Sequence, residues 1–205
     1  MRGGEHDYGT TMSEVRSRDL ERAGGSDGGD TETRNYAILD QLLRDCCLEL
    51  MSDYGLPAIL ATPVLNEPAL DVSVAAIDFS GRDLRGTMGL RMTSSAVLET
   101  YRAAVGAPVP EGSPEANDWT RELVNQLIGR LKNKLRPYHV SFNVNAPRLL
   151  ATFPVAELER ALRSRFVSDR GTFAGYLDVM IAPGFAFVDS PSEVPLVNEG
   201  DLVLF

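Results

Sequence analysis

The sequence predicts an α+β fold in which one antiparallel sheet is covered by long helices, and three observations carry that prediction. Ile38/Leu39, Leu42/Leu43, Cys46/Cys47 and Leu50/Met51 recur every four residues, which is the period of an amphipathic helix with one broad apolar face. Residues 70–76, 84–92 and 171–182 instead alternate apolar and other side chains with the period of two that strands require. The stretches follow one another as helix, hairpin, helix, helix, strand, helix, strand, an order that suits helices laid on an antiparallel sheet.

Composition bounds the classes of function. The chain has 205 residues, 43% hydrophobic and 24% charged, enough for a core without metal or disulfide staples. No apolar run approaches the roughly 18 to 20 residues that cross a bilayer, and Met1 to Tyr8 lacks the apolar centre of a secretory signal. A cytoplasmic protein with no membrane segment is expected. With 29 acidic against 20 basic side chains, a nucleic-acid backbone is repelled on average, so no nucleic-acid partner is expected. Cys46 and Cys47 are neighbours, a spacing that neither closes a useful loop nor forms a metal site. They read as small core residues.

The elements can be justified in order. Residues 1–34 hold seven of the eighteen glycines and few large apolar side chains, so they are expected to be a disordered tail. Within them, Met12-Ser13-Glu14-Val15-Arg16 reads as an alternative translation start. The first helix runs from Tyr36 towards Gly55. A half-buried strand follows with Leu70, Val72, Val74 and Ala76 on its apolar side; Ser80-Gly81-Arg82-Asp83 then turns the chain into a second strand bearing Leu84, Met88, Leu90 and Met92. Thr93-Ser94-Ser95 offers capping oxygens to a helix that Gly106 and Pro108 end. After a proline-bearing linker, a helix opens at Asn117 or Asp118 and stops before Pro137. Tyr138, Val140, Phe142 and Val144 suggest a third strand, and Pro154 starts a short helix with Val155, Leu158 and Leu162 on one side. Residues 171–182 form the last strand. The domain is therefore placed at 35–188, followed by a C-terminal extension at 189–205 whose end, Asp201-Leu202-Val203-Leu204-Phe205, is apolar.

The helix from 118 to 135 carries the chemistry. At about 100° per residue, Asp118, Glu122, Asn125, Gly129 and Lys132 share one polar stripe flanked by Arg121, Gln126 and Asn133; Leu123, Val124, Leu127, Ile128, Leu131 and Leu135 lie opposite. By itself such a stripe reads as a solvated helix face. The run from Asp118 through Glu122, Asn125 and Gly129 to Leu135, however, resembles the signature helix of the CheX chemotaxis proteins, within the CheC/CheX/FliY family of phosphatases. That signature is an acidic or serine residue, then Glu, then Asn at the spacing found here. The resemblance extends to Ala146-Pro147, where the family has a proline motif after a strand, and to the hairpin from Gly81 to Met92.

The resemblance implies a single CheX-like domain that hydrolyses the aspartyl phosphate of a phosphorylated response regulator, a CheY-like receiver, in chemotaxis or motility signalling. Glu122 would pair with the receiver's lysine, and Asn125 would orient the attacking water. Asp118, Arg121, Gly129 and Lys132 would contact the partner. No cofactor or metal of the chain's own is implied, because the receiver would bring Mg²⁺, and a homodimer is expected from the CheX branch. Three positions depart from the family: Arg121 stands where many relatives have a small residue, and Ala146 and Arg148 flank Pro147 in place of hydroxyl residues. Asp45, Glu49 and Ser52 repeat the motif spacing on the first helix and read as a degenerate copy.

Other readings compete. A non-catalytic module could dock a receiver or signalling complex through the same face, and the wider family also includes structural components of the motility switch. His6 and His139 have no partner at metal-ligand spacing. Gly86-Thr87-Met88-Gly89 lacks the context of a phosphate loop, and Ser80 that of a nucleophile elbow. Arg160, Arg163, Arg165 and Arg170 read as a solvated basic helix face.

Overall fold

The computed structural model describes residues 27–61, 72–150 and 161–188. Helix α1 spans Asp27–Asp53, followed by strands β1 (Ile59–Ala61), β2 (Val72–Gly81) and β3 (Leu84–Thr93). Helix α2 is Ser94–Val105 and helix α3 is Pro114–Leu135, which runs into a 3-10 turn at Arg136–Tyr138. Strands β4 (Phe142–Val144), β5 (Arg148–Leu149), β6 (Leu162–Ser168) and β7 (Gly171–Ile181) complete the described elements. The strands form one sheet ordered β1-β6-β7-β3-β2-β4, with β5 also on β2, and every pairing is antiparallel. The expected α+β architecture is present.

The helices cover one face of this sheet. α1 packs on β6 and β7, α3 packs on β2 and β3, and the two helices touch side by side. Leu39, Leu43, Cys46, Cys47, Leu50 and Met51 of α1 are all fully buried, as the four-residue recurrence requires. The close seat of α1 depends on Gly175 of β7, because a Cβ there would lie 2.4 Å from Cys47 Sγ. Both thiols are free and buried; burial pushes the Cys46 thiol up to about 12 and raises Cys47 as well.

Several expectations need correction. α1 opens at Asp27, inside the segment assigned to a disordered tail, and buried Asn35 bonds the backbone at Phe185 (2.8 Å) and Phe187 (3.1 Å). In β2 the face turned to the helices is Ala75, Ile77 and Phe79, not the Val72/Val74/Ala76 set. Val74 and Ala76 are also nearly buried on the opposite face, at 6% and 1% exposure, so the alternation that sets the phase is blurred. α3 opens at Pro114, because Ser113 caps it by accepting the Ala116 N–H (3.2 Å) and proline suits the first helical position. At α2, Thr93 is the N-cap residue but makes no capping bond; its hydroxyl accepts the Thr172 N–H instead (3.1 Å).

Residues 136–140 are not strand: Tyr138 is in the 3-10 turn and His139 has a φ of +58°. Leu162, Arg163 and Arg165 lie on strand β6 and not on a helix, and Arg170 in the following turn pairs with Glu99 of α2 (2.7 Å). The start of that expected helix at Pro154, together with Arg160, His6 and the apolar C-terminus, lies outside the described residues. No helix among the described residues is long and apolar enough to cross a membrane.

Candidate functional site

α3 presents its polar stripe because its other side is committed to the core. Leu123, Val124, Leu127, Ile128, Leu131 and Leu135 are buried, which leaves Asp118, Glu122 and Asn125 exposed along one line of the helix. Glu122 and Asn125 are three residues apart, so they are separated by about 4.5 Å along the axis and project from adjacent points of one face. The stripe is anchored at its start by Trp119. Its indole N–H donates to Thr100 of α2 (3.0 Å), and its ring meets Tyr54 and Tyr101 edge-on at centroid distances of 5.1 and 5.9 Å.

Each side chain of the stripe has a distinct environment. Arg121 turns back one helical turn to pair with Asp118, so its charge is directed at Asp118 and not at Glu122. Glu122 Oε1 accepts a hydrogen bond from Gln126 Nε2 (2.9 Å), and Gln126 Oε1 accepts one from the Tyr54 hydroxyl (2.7 Å). The hydrogen bond that holds this Glu122 oxygen therefore comes from a neutral amide and brings no positive charge to it. Gly129, one turn beyond Asn125, leaves an open dip: among the described residues nothing beyond its own helix lies within 4 Å of the point its Cβ would occupy. An interior helix glycine costs about 0.5–1 kcal/mol relative to alanine, and no close contact among the described residues demands it here. Lys132 reaches over the Phe142 ring of β4, 5.9 Å from its centroid, and so lies towards the sheet edge.

The motif copy on α1 is differently engaged. Glu49 accepts a bond from Lys134 Nζ of α3 (2.7 Å), Asp45 accepts one from Gln41 (2.8 Å), and Asp53 pairs with Arg130 (2.5 Å). Lys134 pairs with the carboxylate that would correspond to Glu122, so at that position the copy presents a compensated acid.

The proline segment lies beside α3. β4 and β5 both pair with β2, and Ala146-Pro147 interrupts them; the Asn145 and Leu150 amides bond the Asp78 and Val74 carbonyls, each at 2.9 Å. β5 itself touches α3. Arg148 is drawn to Asp78, which also accepts the Thr87 hydroxyl (2.6 Å). Burial alone would raise the Asp78 carboxyl, but these two hydrogen bonds outweigh it and hold it below the usual carboxylate range. Among the described residues, no three His, Cys, Asp or Glu side chains gather where they could hold a metal ion.

The Tyr54–Gln126 pair was not legible as part of the site. Gln126 stands beside the stripe in sequence, but Tyr54 is on another helix's terminal turn, and only the packing of α1 against α3 brings the two together.

Fold and site together give an α+β domain that displays an acid–amide pair on an exposed helix. Residues 73–167 match the family model described as chemotaxis phosphatase CheX, and the chain is CheX-like over that span. CheX from Vibrio vulnificus superposes with a TM-score of 0.57 at 19% identity, covering 68% of this chain and 93% of that one. A CheC-like superfamily protein from Shewanella sp. PV-4 gives 0.55 at 19% identity, with coverages of 68% and 96%. A chain of the CheX–CheY–BeF3–Mg complex from Borrelia burgdorferi gives 0.54 at 15% identity, again covering 68% and 96%. At these identities the likeness is one of fold. No curated protein sequence matches the chain.

Proposed function

We propose that the protein is a phosphatase of phosphorylated response regulators, acting on the aspartyl phosphate of a CheY-like receiver domain in chemotaxis or motility signalling. The observation that carries this reading is the exposed Glu122–Asn125 pair, with one Glu122 oxygen held by a neutral amide. Glu122 would dock the receiver's lysine through a charge-assisted hydrogen bond. Asn125 would place a water in line with the phosphorus. The water oxygen attacks, the bond from phosphorus to the aspartyl oxygen breaks, and inorganic phosphate and a free aspartate result, with the water proton passing to the phosphate. Such a reaction is accelerated by position and charge stabilisation more than by a new nucleophile, and a neutral amide orients water without repelling phosphate.

Asp118, Arg121, Gly129 and Lys132 would border the docked receiver, whose own Mg²⁺ would accompany the phosphate as part of the substrate. The complex of a CheX with CheY and a fluoroberyllate in Borrelia burgdorferi supports a receiver as the partner class. A cytoplasmic location and a twofold homodimer belong to the same proposal.

A second reading keeps the docking and omits the catalysis. It is favoured by Arg148, which stands beside Pro147 where the family carries a hydroxyl and is engaged with Asp78. The two readings separate when the protein is incubated with candidate phosphorylated receivers and loss of label is followed. Accelerated loss supports the phosphatase; binding without acceleration supports the docking module.

A further inference from the structure

We propose that Gln126 and Tyr54 are positioning residues that hold the Glu122 carboxylate in the orientation used for docking, an inference that rests on the reading of Glu122 given above. A glutamate on an exposed helix face has three rotatable bonds and would otherwise sample many orientations. Here Gln126 Nε2 donates to Glu122 Oε1 (2.9 Å), and Gln126 is itself held from behind by the Tyr54 hydroxyl (2.7 Å).

The polarity of this relay is set by chemistry. An ionised carboxylate only accepts, so the amide must turn its NH₂ to Glu122 and its oxygen to Tyr54, whose O–H then donates. The reverse orientation would aim the amide oxygen at a carboxylate. Tyr54 has little freedom of its own: its N–H bonds the Met51 carbonyl (3.2 Å) where Gly55, at a φ of +68°, closes α1, and its ring lies edge-on to Trp119. Trp119 is tied in turn to Thr100 of α2. The relay thus begins in the packing between α1, α2 and α3 and ends on one carboxylate oxygen, leaving the other for a partner's ammonium.

Comparison with the α1 copy shows what the amide contributes. Glu49 is also held, but by Lys134, and that tie neutralises it. A glutamine held by a tyrosine orders the carboxylate without setting a cation against it, which is the combination a cation-docking residue needs.

Tyr54→Phe keeps the ring on Trp119 and removes the donor; Gln126→Met keeps the length and removes the amide. In the free protein, three-bond couplings measured by NMR should report a single χ1 rotamer for Glu122 in the parent and averaging in both variants. With a phosphorylated receiver, each variant should raise KM by about 2- to 10-fold, the span that follows from ordering one flexible side chain. kcat should be unchanged, and the melting midpoint should stay within about a degree or two for so small a surface change. A KM effect without a melting shift separates positioning from a structural role. Variants that leave KM and couplings at parent values overturn the inference. A parent that acts on no receiver counts against the function proposed above, whereas averaged couplings in the parent overturn the relay whatever the receiver assay shows.

Discussion

Replacing Gly175 by alanine tests the packing that sets α1, and with it Tyr54, against α3. The added Cβ would lie 2.4 Å from Cys47 Sγ and 3.2 Å from Leu43 Cδ1, both on fully buried residues. Carbon and sulfur atoms in contact want at least about 3.5 Å, so α1 or Cys47 must move by roughly 1 Å. Overpacking of this kind costs about 1–3 kcal/mol, and the entropy that alanine removes from the unfolded chain returns about 0.4–1 kcal/mol. At the middle of both ranges the net is about 1.3 kcal/mol, or roughly 3–5 °C in the melting midpoint of a domain this size. Thermal melts of Gly175→Ala, Cys47→Ala and the double variant should be strongly non-additive, because removing Sγ makes room for the new methyl group. A parent-like midpoint in the single variant, or strict additivity in the cycle, would refute the proposed contact.

Other outcomes follow from the site and the buried groups. Glu122→Lys places like charges at the docking contact and should abolish receiver binding in titration calorimetry, with the fold retained by circular dichroism; parent affinity for a phosphate-mimic-loaded receiver would count against the pairing. With its value pushed up to about 12, the Cys46 thiol is ionised in only about one part in 10⁴ at pH 8, so a thiol reagent should label the protein at the rate of unfolding. The same shift makes stability fully present below about pH 8.5, the unfolded thiol value, and lost as pH rises from there towards the folded one, which alkaline melts can check. Asp78 runs the other way: its depressed carboxyl gives stability above about pH 3.9 that is lost as pH falls through the folded value, and Arg148→Gln should flatten that part of the acid melt.

Much of this fold was legible because its helices are simply amphipathic. The apolar face of α3 and the α1 recurrence are the core as read, and β3 and β7 keep the phase their alternation implies. β2 misled because Ala75, Ala76 and Val74 are buried together, so neither face stands out as polar. The span from Tyr138 to Val140 alternates like a strand, yet the turn after Pro137 and the left-handed His139 take it out of the sheet. Position cannot be read from local pattern at all: α1 is followed in sequence by β1 and β2 but packs on β6 and β7. For that reason the Glu122–Asn125 pair was visible in sequence, whereas the Tyr54 end of the relay was not.

The most direct test of the central claim is the rate at which a phosphorylated receiver loses its label with the parent protein and with Asn125→Ala. The side chain is exposed and the buried face of α3 is untouched, so the variant should fold and bind as the parent does. The proposal predicts accelerated dephosphorylation by the parent and a loss of about 10²-fold in the variant, because an unplaced water forfeits the advantage of orientation. A variant that retains the parent's rate, or a parent that binds the receiver without hastening the loss of label, would contradict it.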